Sequence, residues 1–201
     1  MAAPSHIHPV AHRLLQRGDK EALLGQRSCV IWMTGLSGSG KSTIAIALER
    51  ALHQQGRYAV VLDGDNVRTG INSNLGFSDA DRTENIRRIA EVANLFLQNC
   101  AVVICTFVSP TIAIREQART IIGIADFIEV FIDTPLDECE RRDVKGLYAK
   151  ARAGELKDFT GISAPFEAPI APAIRIATQG RPEEASTTEL LNYILPRIAQ
   201  N

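Results

Sequence analysis

The chain has 201 residues, 45% of them hydrophobic, and its 22 Lys and Arg residues against 23 Asp and Glu residues give a net charge of -1. This length suits one domain with a sizeable core, and the charged fraction of 22% excludes a disordered chain. The balanced charge offers no general attraction for nucleic acid or an anionic membrane, and no apolar run approaches the length of a membrane span.

Short apolar runs alternate with longer segments of helical periodicity. Strands are predicted over 29–34, 58–63, 101–107, 127–133 and 173–177. Helices are predicted over 42–55 and 78–99, from Pro110 onward, and over 135–153 and 182–199, with Ser78 as an N-cap and Pro110 in a first turn. Strands separated by helices predict an α/β fold, a parallel sheet of about five strands with helices on both faces. Ligand sites in such sheets lie at the carboxyl ends of the strands.

A glycine-rich motif follows the first strand and opens the first helix. It fits the pattern G-x-x-x-x-G-K-[ST] and reads Gly35-Leu36-Ser37-Gly38-Ser39-Gly40-Lys41-Ser42. Such a loop wraps backbone N–H groups around phosphate oxygens, at the favourable end of the helix dipole. Lys41 is expected to reach the β- and γ-phosphates, and the Ser42 hydroxyl is expected to bind Mg²⁺. A tight turn without a ligand is the alternative.

Carboxylates and an arginine follow the second strand, in the stretch DGDNVR at 63–68. Asp63 could take a proton from an attacking hydroxyl, and Arg68 could hold an anionic substrate through a bidentate contact. The alternative is a simple capped turn, because Asp, Gly and Asn all favour turns. The neighbouring Asp65 leaves the choice of base open.

Phe77, Arg82 and Asn85 lie at the start of the long helix, with Arg82 and Asn85 on one face. This group suits a ring stacked on Phe77 with an anion or a ribose beside it. A solvated polar face with Phe77 in the core is the alternative. Ser109 and Pro110 follow the third strand. On local evidence alone, they could simply be the cap and the first-turn proline of the next helix.

A basic run covers 141–152 and leads into a Gly- and Pro-rich segment, 150–172, without periodicity. Segments of this length in a compact domain are usually lids or disordered. We therefore expect this segment to be a mobile lid that contains Arg152 and Lys157 and closes over the phosphates of bound nucleotides. An ordinary basic helix is the alternative.

These motifs, in this order and spacing, resemble the adenylylsulfate kinase (APS kinase) family. The resemblance runs from about Gly25 to Gly161 and rests on DGDNVR at 63–68, LGFS-x-x-DR-x-x-N at 75–85, VSP at 108–110 and RDVKGLY-x-KARAGE-x-K-x-FTG at 142–161. It implies a P-loop kinase fold in residues 25–201, with a lid at about 145–172 and an N-terminal extension over 1–24. The chain departs from the family pattern at 166–173.

The family implies transfer of the γ-phosphoryl group of ATP to the 3′-hydroxyl of adenosine 5′-phosphosulfate (APS), giving PAPS, with Mg²⁺ as cofactor. The resemblance assigns Gly35 to Thr43 to the ATP loop and places Arg142, with the loop 179–182, near the ATP adenine. Asp63 matches the candidate base, Lys41 is the second catalytic candidate, and Ser109 matches a serine treated in the family as a possible phosphoenzyme site. The positions that match the APS site are Asp65, Arg68, Phe77, Arg82, Asn85, Val108, Ser109, Lys145, Phe159 and Thr160.

Further expectations concern compartment, partners and other functions. The chain has four cysteines, three of them in apolar stretches, and no C-x-x-C pair. This pattern, and the lack of a recognisable secretory signal, indicate the cytoplasm. The expected partners are a second copy of the chain, in a homodimer, and an ATP sulfurylase that is functionally associated with it. Binding to nucleic acid or to a membrane is not expected. A kinase for another small hydroxyl compound and a non-catalytic nucleotide-binding subunit remain the alternatives. A GTPase is disfavoured because no Asn-Lys-x-Asp stretch is present.

Overall fold

A computed structural model describes residue 6 and residues 8–200. The strands are β1 (Cys29–Thr34), β2 (Ala59–Asp63), β3 (Val102–Thr106), β4 (Phe127–Asp133) and β5 (Ile174–Ala177). The α-helices are α1 (Arg17–Leu24), α2 (Lys41–Gln54), α3 (Gly64–Arg68), α4 (Asp79–Leu97), α5 (Ile112–Ile122), α6 (Leu136–Arg142), α7 (Leu147–Arg152) and α8 (Glu183–Ile198), preceded by a 3₁₀ turn at Ala11–Arg13.

The five strands form one parallel sheet in the order β2-β3-β1-β4-β5. Strand β1 is central and buried on both faces, so its side chains alternate between two apolar cores. Ile31 and Met33 pack with α2 and α8, whereas Val30 and Trp32 pack with α4 and α5. The predicted α/β fold, a parallel sheet with helices on both faces, is confirmed.

Two predicted helices differ from the structure. Pro110 was expected in a first turn, but α5 begins at Ile112, and Thr111 is its N-cap, accepting a hydrogen bond from the Ile114 amide at 3.4 Å. The single helix expected over 135–153 is wrong as well, because the chain breaks between α6 and α7. Asp143 ends α6 at φ 21°, and its carboxylate then accepts from the amides of the first turns of α7.

Two helices were not predicted. The stretch after β2, for which no helix was predicted, forms α3 with Asp63 as its N-cap. Residues 17–24 form α1, which belongs to the expected N-terminal extension; residues 1–5 and 7 of that extension lie outside the described residues. Arg17 joins α1 to the domain through Asp126, at 2.6 Å. None of the helices in the described residues is both long and apolar enough to cross a bilayer.

Candidate active site

The glycine-rich loop lies between β1 and α2, where its shape depends on glycine. A Cβ on Gly35 would lie 2.6 Å from the Ile132 carbonyl oxygen, and the residue has φ 154°, so a side chain does not fit. Lys41 is buried behind the loop, and its Nζ donates to the carbonyl oxygens of Gly35 at 2.8 Å and Leu36 at 2.7 Å. Burial lowers the pKa of Lys41 to about 8.

Asp63 ends β2 at the same edge of the sheet. Its Oδ1 accepts from the Asp65 amide at 3.0 Å, and its Oδ2 accepts from the hydroxyls of Ser42 at 2.7 Å and Thr106 at 2.8 Å. Burial disfavours the charged carboxylate, but these donated hydrogen bonds outweigh it and hold the pKa of Asp63 below its ordinary value. The carboxylate is therefore ionised at neutral pH.

An aromatic ring with two guanidinium groups near it forms a second wall of the cavity. The guanidinium carbon of Arg68 lies 4.3 Å from the Phe77 ring centroid, and that of Arg82 lies 5.9 Å from it. Phe77 is 61% exposed, so the expectation that its ring is available for stacking fits the structure better than a core role. Arg82 also donates to the Thr160 hydroxyl at 3.1 Å, which connects this wall to the segment after α7.

The loop after β3 also contributes to this wall of the cavity. The carbonyl oxygen of Val108 accepts from the Thr34 hydroxyl at 2.7 Å. Ser109 is 2% exposed, lies at φ 36°, and its Oγ accepts from the Trp32 indole N–H at 3.2 Å and donates to the Phe107 carbonyl oxygen at 3.4 Å. No titratable side chain within the described residues hydrogen bonds to this hydroxyl.

Residues of the basic run reach both halves of the site. Arg142 donates to the Gly38 carbonyl oxygen at 3.3 Å and to the Thr178 carbonyl oxygen at 3.1 Å, which places it beside the loop 179–182. Lys145, between α6 and α7, is ion-paired with Asp65 across the opening of the cavity. The pair therefore joins the start of the expected lid, 145–172, to the first turn of α3.

The expected lid segment packs against the domain at both ends. Phe159 meets Tyr148 edge to face, with ring centroids 5.1 Å apart, and Phe166 stacks on Phe131. Glu167 accepts from the Ile112 amide at 2.7 Å through its carboxylate. The segment between these anchors borders the cavity at Phe159 and Thr160.

These groups surround one cavity of about 520 Å³. Three of the predicted site residues, Gly35, Leu36 and Ser39, are not among the residues that line it; the other eighteen are. Leu36 instead packs in a small apolar cluster with Cys139 and Tyr148, and Ser39 is buried beneath the loop. The lining residues from the prediction are Ser37, Gly38, Gly40, Lys41, Ser42, Thr43, Asp63, Asp65, Arg68, Phe77, Arg82, Asn85, Val108, Ser109, Arg142, Lys145, Phe159 and Thr160.

Two polar residues that support the site were not predicted. Thr106 lies opposite Asp63 in the register of β2 and β3 and donates to its carboxylate. Thr106 is a polar residue at the end of the otherwise apolar strand β3, and this position could have identified it in the sequence. Asn72 donates to Asn85 from the loop after α3, and nothing in the sequence alone connects these two positions.

Comparisons with known proteins identify the family of the chain. The family model described as adenylylsulphate kinase matches residues 27–177. The adenylyl-sulfate kinase of Bacteroides thetaiotaomicron is 60% identical over 198 residues, 98% of either chain, and that of Clostridium acetobutylicum is 50% identical over 180 residues, 90% of either chain. A solved structure of the Mycobacterium tuberculosis APS kinase CysC in complex with AMPPNP and APS has a TM-score of 0.81 and 48% identity, over 84% of this chain and 98% of that one.

The family match covers β1 to β5 and therefore every loop that lines the cavity. Identity is high over the whole length of the relatives, so the likeness extends well beyond the phosphate-binding loop. The chain belongs to the adenylylsulphate kinase family.

Proposed function

We propose that the chain transfers the γ-phosphoryl group of ATP to the 3′-hydroxyl of APS, giving PAPS and ADP. The observation that carries this proposal is a single cavity with a phosphate-binding loop on one wall and the Arg68–Phe77–Arg82 group on the other. The first wall suits a nucleotide triphosphate. The second suits a second nucleotide, with a base to stack and an anion to neutralise.

The donor nucleotide is expected at the glycine-rich loop and the start of α2. Lys41 gives its hydrogen bonds to loop carbonyl oxygens in the structure, and phosphate oxygens would replace these acceptors. Its positive charge would then lie beside the γ-phosphoryl group, where charge develops in phosphoryl transfer. Arg142 and the backbone near Thr178 would border the ATP adenine.

The donor set fits Mg²⁺ as the cofactor. Within residues 6 and 8–200 no group of three or more His, Cys, Asp or Glu side chains is arranged to hold a metal ion. Mg²⁺ in kinases needs fewer protein ligands, because phosphates and water complete its shell. Ser42 would hold the ion, with the Asp63 carboxylate 2.7 Å from its hydroxyl. When bound, Mg²⁺ neutralises charge on the β- and γ-phosphates.

Asp63 is the better candidate for the base. It is part-buried at the strand end and ionised, whereas Asp65 is exposed and its charge is neutralised by Lys145. In the proposed step, the 3′-oxygen of APS forms a bond to the γ-phosphorus as the bond from that phosphorus to the bridging oxygen of ADP breaks. The hydroxyl proton passes to Asp63. The lid segment would exclude water and so limit hydrolysis of ATP.

Product analysis tests the proposal. Purified protein with Mg-ATP and APS should form PAPS and ADP in equal amounts. Gluconate or adenosine 3′,5′-bisphosphate in place of APS should give no ADP above background. ADP formation with gluconate would favour a kinase for another hydroxyl compound. Binding of ATP without turnover on any acceptor would favour a nucleotide-binding subunit.

We further propose a cytoplasmic homodimer that works beside an ATP sulfurylase as its source of APS. All four cysteines are buried and unpaired, which fits a reducing compartment. Leu14, Leu15 and Leu23 are exposed around α1 and could be covered by a second copy. Among the relatives are a hexameric APS kinase from Thiobacillus denitrificans and a bifunctional enzyme, NodQ, of Azospirillum brasilense, in which the matching part is 28% of the length. Light scattering on the purified chain tests the homodimer, which should have twice the mass of a single chain.

A further inference from the structure

Asn72 is a fully buried polar residue directly behind the acceptor wall. It lies in the loop between α3 and α4 and is not among the residues that line the cavity. Its backbone is fixed, because its amide donates to the Val67 carbonyl oxygen at 2.9 Å and its own carbonyl accepts from the Leu75 amide at 3.0 Å. The side chain therefore points from a rigid turn toward α4.

Among the described residues, the Asn72 side chain hydrogen bonds to one residue that lines the cavity, Asn85. Its Nδ2 donates to the Asn85 Oδ1 at 3.0 Å and lies 3.5 Å from the Asn85 backbone oxygen. A backbone oxygen can only accept, so it requires the nitrogen side of the Asn72 amide to face α4. The Asn85 amide must then turn its oxygen toward Asn72. Its Nδ2 is left for a ligand, since no residue of the described chain accepts from it.

This orientation is maintained at a cost to folding. The Oδ1 of Asn72 is buried and has no hydrogen-bond partner among the described residues. A buried unpaired acceptor destabilises the fold, so an apolar residue of similar size would serve packing alone better. A fixed hydrogen-bond donor on Asn85, which itself lines the cavity, would offset the cost of this unpaired oxygen.

We propose that Asn72 is a positioning residue that fixes the Asn85 amide so that its Nδ2 donates to an acceptor atom of bound APS. The inference rests on the proposed function, because it takes APS as the ligand at Asn85. A free asparagine amide can rotate and offer either its oxygen or its nitrogen. With Asn72 in place only the donor faces the cavity, which favours a ligand acceptor atom at that point and disfavours a ligand donor.

A double-mutant cycle tests this role. The variants are Asn72→Leu, Asn85→Ala and the double variant, with steady-state kinetics for APS and ATP and a melting curve for each. Asn72→Leu should raise the KM for APS about tenfold, the scale of one lost hydrogen bond, with kcat and the KM for ATP within about twofold of the parent. In the Asn85→Ala background the same substitution should change the KM for APS less than about twofold.

A matched control is Asn74→Leu, the same change two residues away. Asn74 is exposed, and its side chain binds Arg88 outside the cavity. This control should leave the KM for APS unchanged. If Asn72→Leu does not fold, Asn72→Ser replaces it, since the shorter hydroxyl keeps a polar group there but does not span the distance to Asn85.

The outcomes separate the two proposals. An Asn72 effect of equal size in both backgrounds would overturn the positioning role, because it would show that Asn72 acts by clamping the loop to the α4 backbone. An unchanged KM for APS in a folded Asn72→Leu protein would overturn it too. A parent protein that makes no PAPS would overturn the proposed function itself, and the inference with it.

Discussion

The two walls of the cavity are built differently. The donor wall is one continuous stretch of chain, 35–43, whose shape is fixed by glycine backbone and by the buried Lys41. The acceptor wall takes side chains from α3, α4, the loop between them, the loop after β3 and the segment after α7. Its central ring, Phe77, is mostly exposed. The donor wall is pre-formed, whereas the acceptor wall depends on contacts between separate elements.

This difference predicts different consequences of mutation. A change in the donor wall should reduce the rate of phosphoryl transfer, because its groups face the reacting phosphate. A change in the acceptor wall should mostly reduce affinity for APS, because several elements share the binding. Kinetics that separate kcat from KM are therefore the appropriate measurement on both sides.

Lys41→Ala should have the largest effect. Removal of the cation beside the γ-phosphoryl group is expected to lower kcat about 10³ to 10⁵-fold, the range known for cations that stabilise this transition state. The loss of stability should be small, since a buried lysine is costly to keep charged. Lys20→Ala is the control, because Lys20 is a half-buried lysine whose Nζ donates to Asn99 and which does not line the cavity. Near-normal kcat would remove Lys41 from this role, and unfolding would identify it as a structural residue.

Asp63→Asn should lower kcat about 10² to 10⁴-fold while ATP binding stays nearly intact. Asn preserves the shape of the side chain but does not accept the hydroxyl proton. Asp65→Asn is the comparison, and its effect on kcat should be much smaller because Asp65 is exposed and paired with Lys145. Weaker ATP binding with unchanged kcat in Asp63→Asn would instead assign Asp63 to the metal.

The donor wall was predicted from one local motif. In the acceptor wall, Arg68, Phe77, Arg82 and Asn85 were proposed from their residue types, and the remaining positions came only from the resemblance. A phosphate-binding loop is local, so one motif between a strand and a helix specifies it. The position of β3 between β1 and β2 is not local, and it places Thr106 against Asp63. Likewise the link from Asn72 to Asn85 depends on how a loop packs under α4. The break at 143–146 was missed because Asp143 both ends α6 and caps α7, so the polar run looked continuous.

The segment 150–172 allows a test of whether the acceptor wall closes on its ligands. Arg152 and Lys157 are exposed trypsin sites within it, while Thr160 and Glu167 hold it to the domain. If closure requires both substrates, trypsin cleavage in 150–172 should slow about tenfold with APS and a non-hydrolysable ATP analogue together. Either ligand alone should protect less. Equal cleavage rates with and without ligands would contradict a lid.

The smallest effect is expected at Ser109, where the question is whether the hydroxyl carries phosphate or only positions APS. A nucleophilic serine needs an adjacent base. The Ser109 hydroxyl instead lies between the Trp32 indole and the Phe107 carbonyl oxygen, and Trp32 is fully buried. Direct attack by the APS hydroxyl, with Asp63 as base, also needs no intermediate on the enzyme.

Ser109→Ala should therefore raise the KM for APS about two- to tenfold and change kcat less, the scale of one lost hydrogen bond. It should also lower the melting temperature, because the buried Trp32 N–H loses its acceptor, at about 1–3 kcal/mol. Ser73→Ala, an exposed serine in the loop after α3, is the control for both measurements. A kinetically competent phosphoserine at 109, or retention of configuration at phosphorus, would establish the covalent route; inversion together with the KM effect would leave Ser109 as part of the acceptor wall.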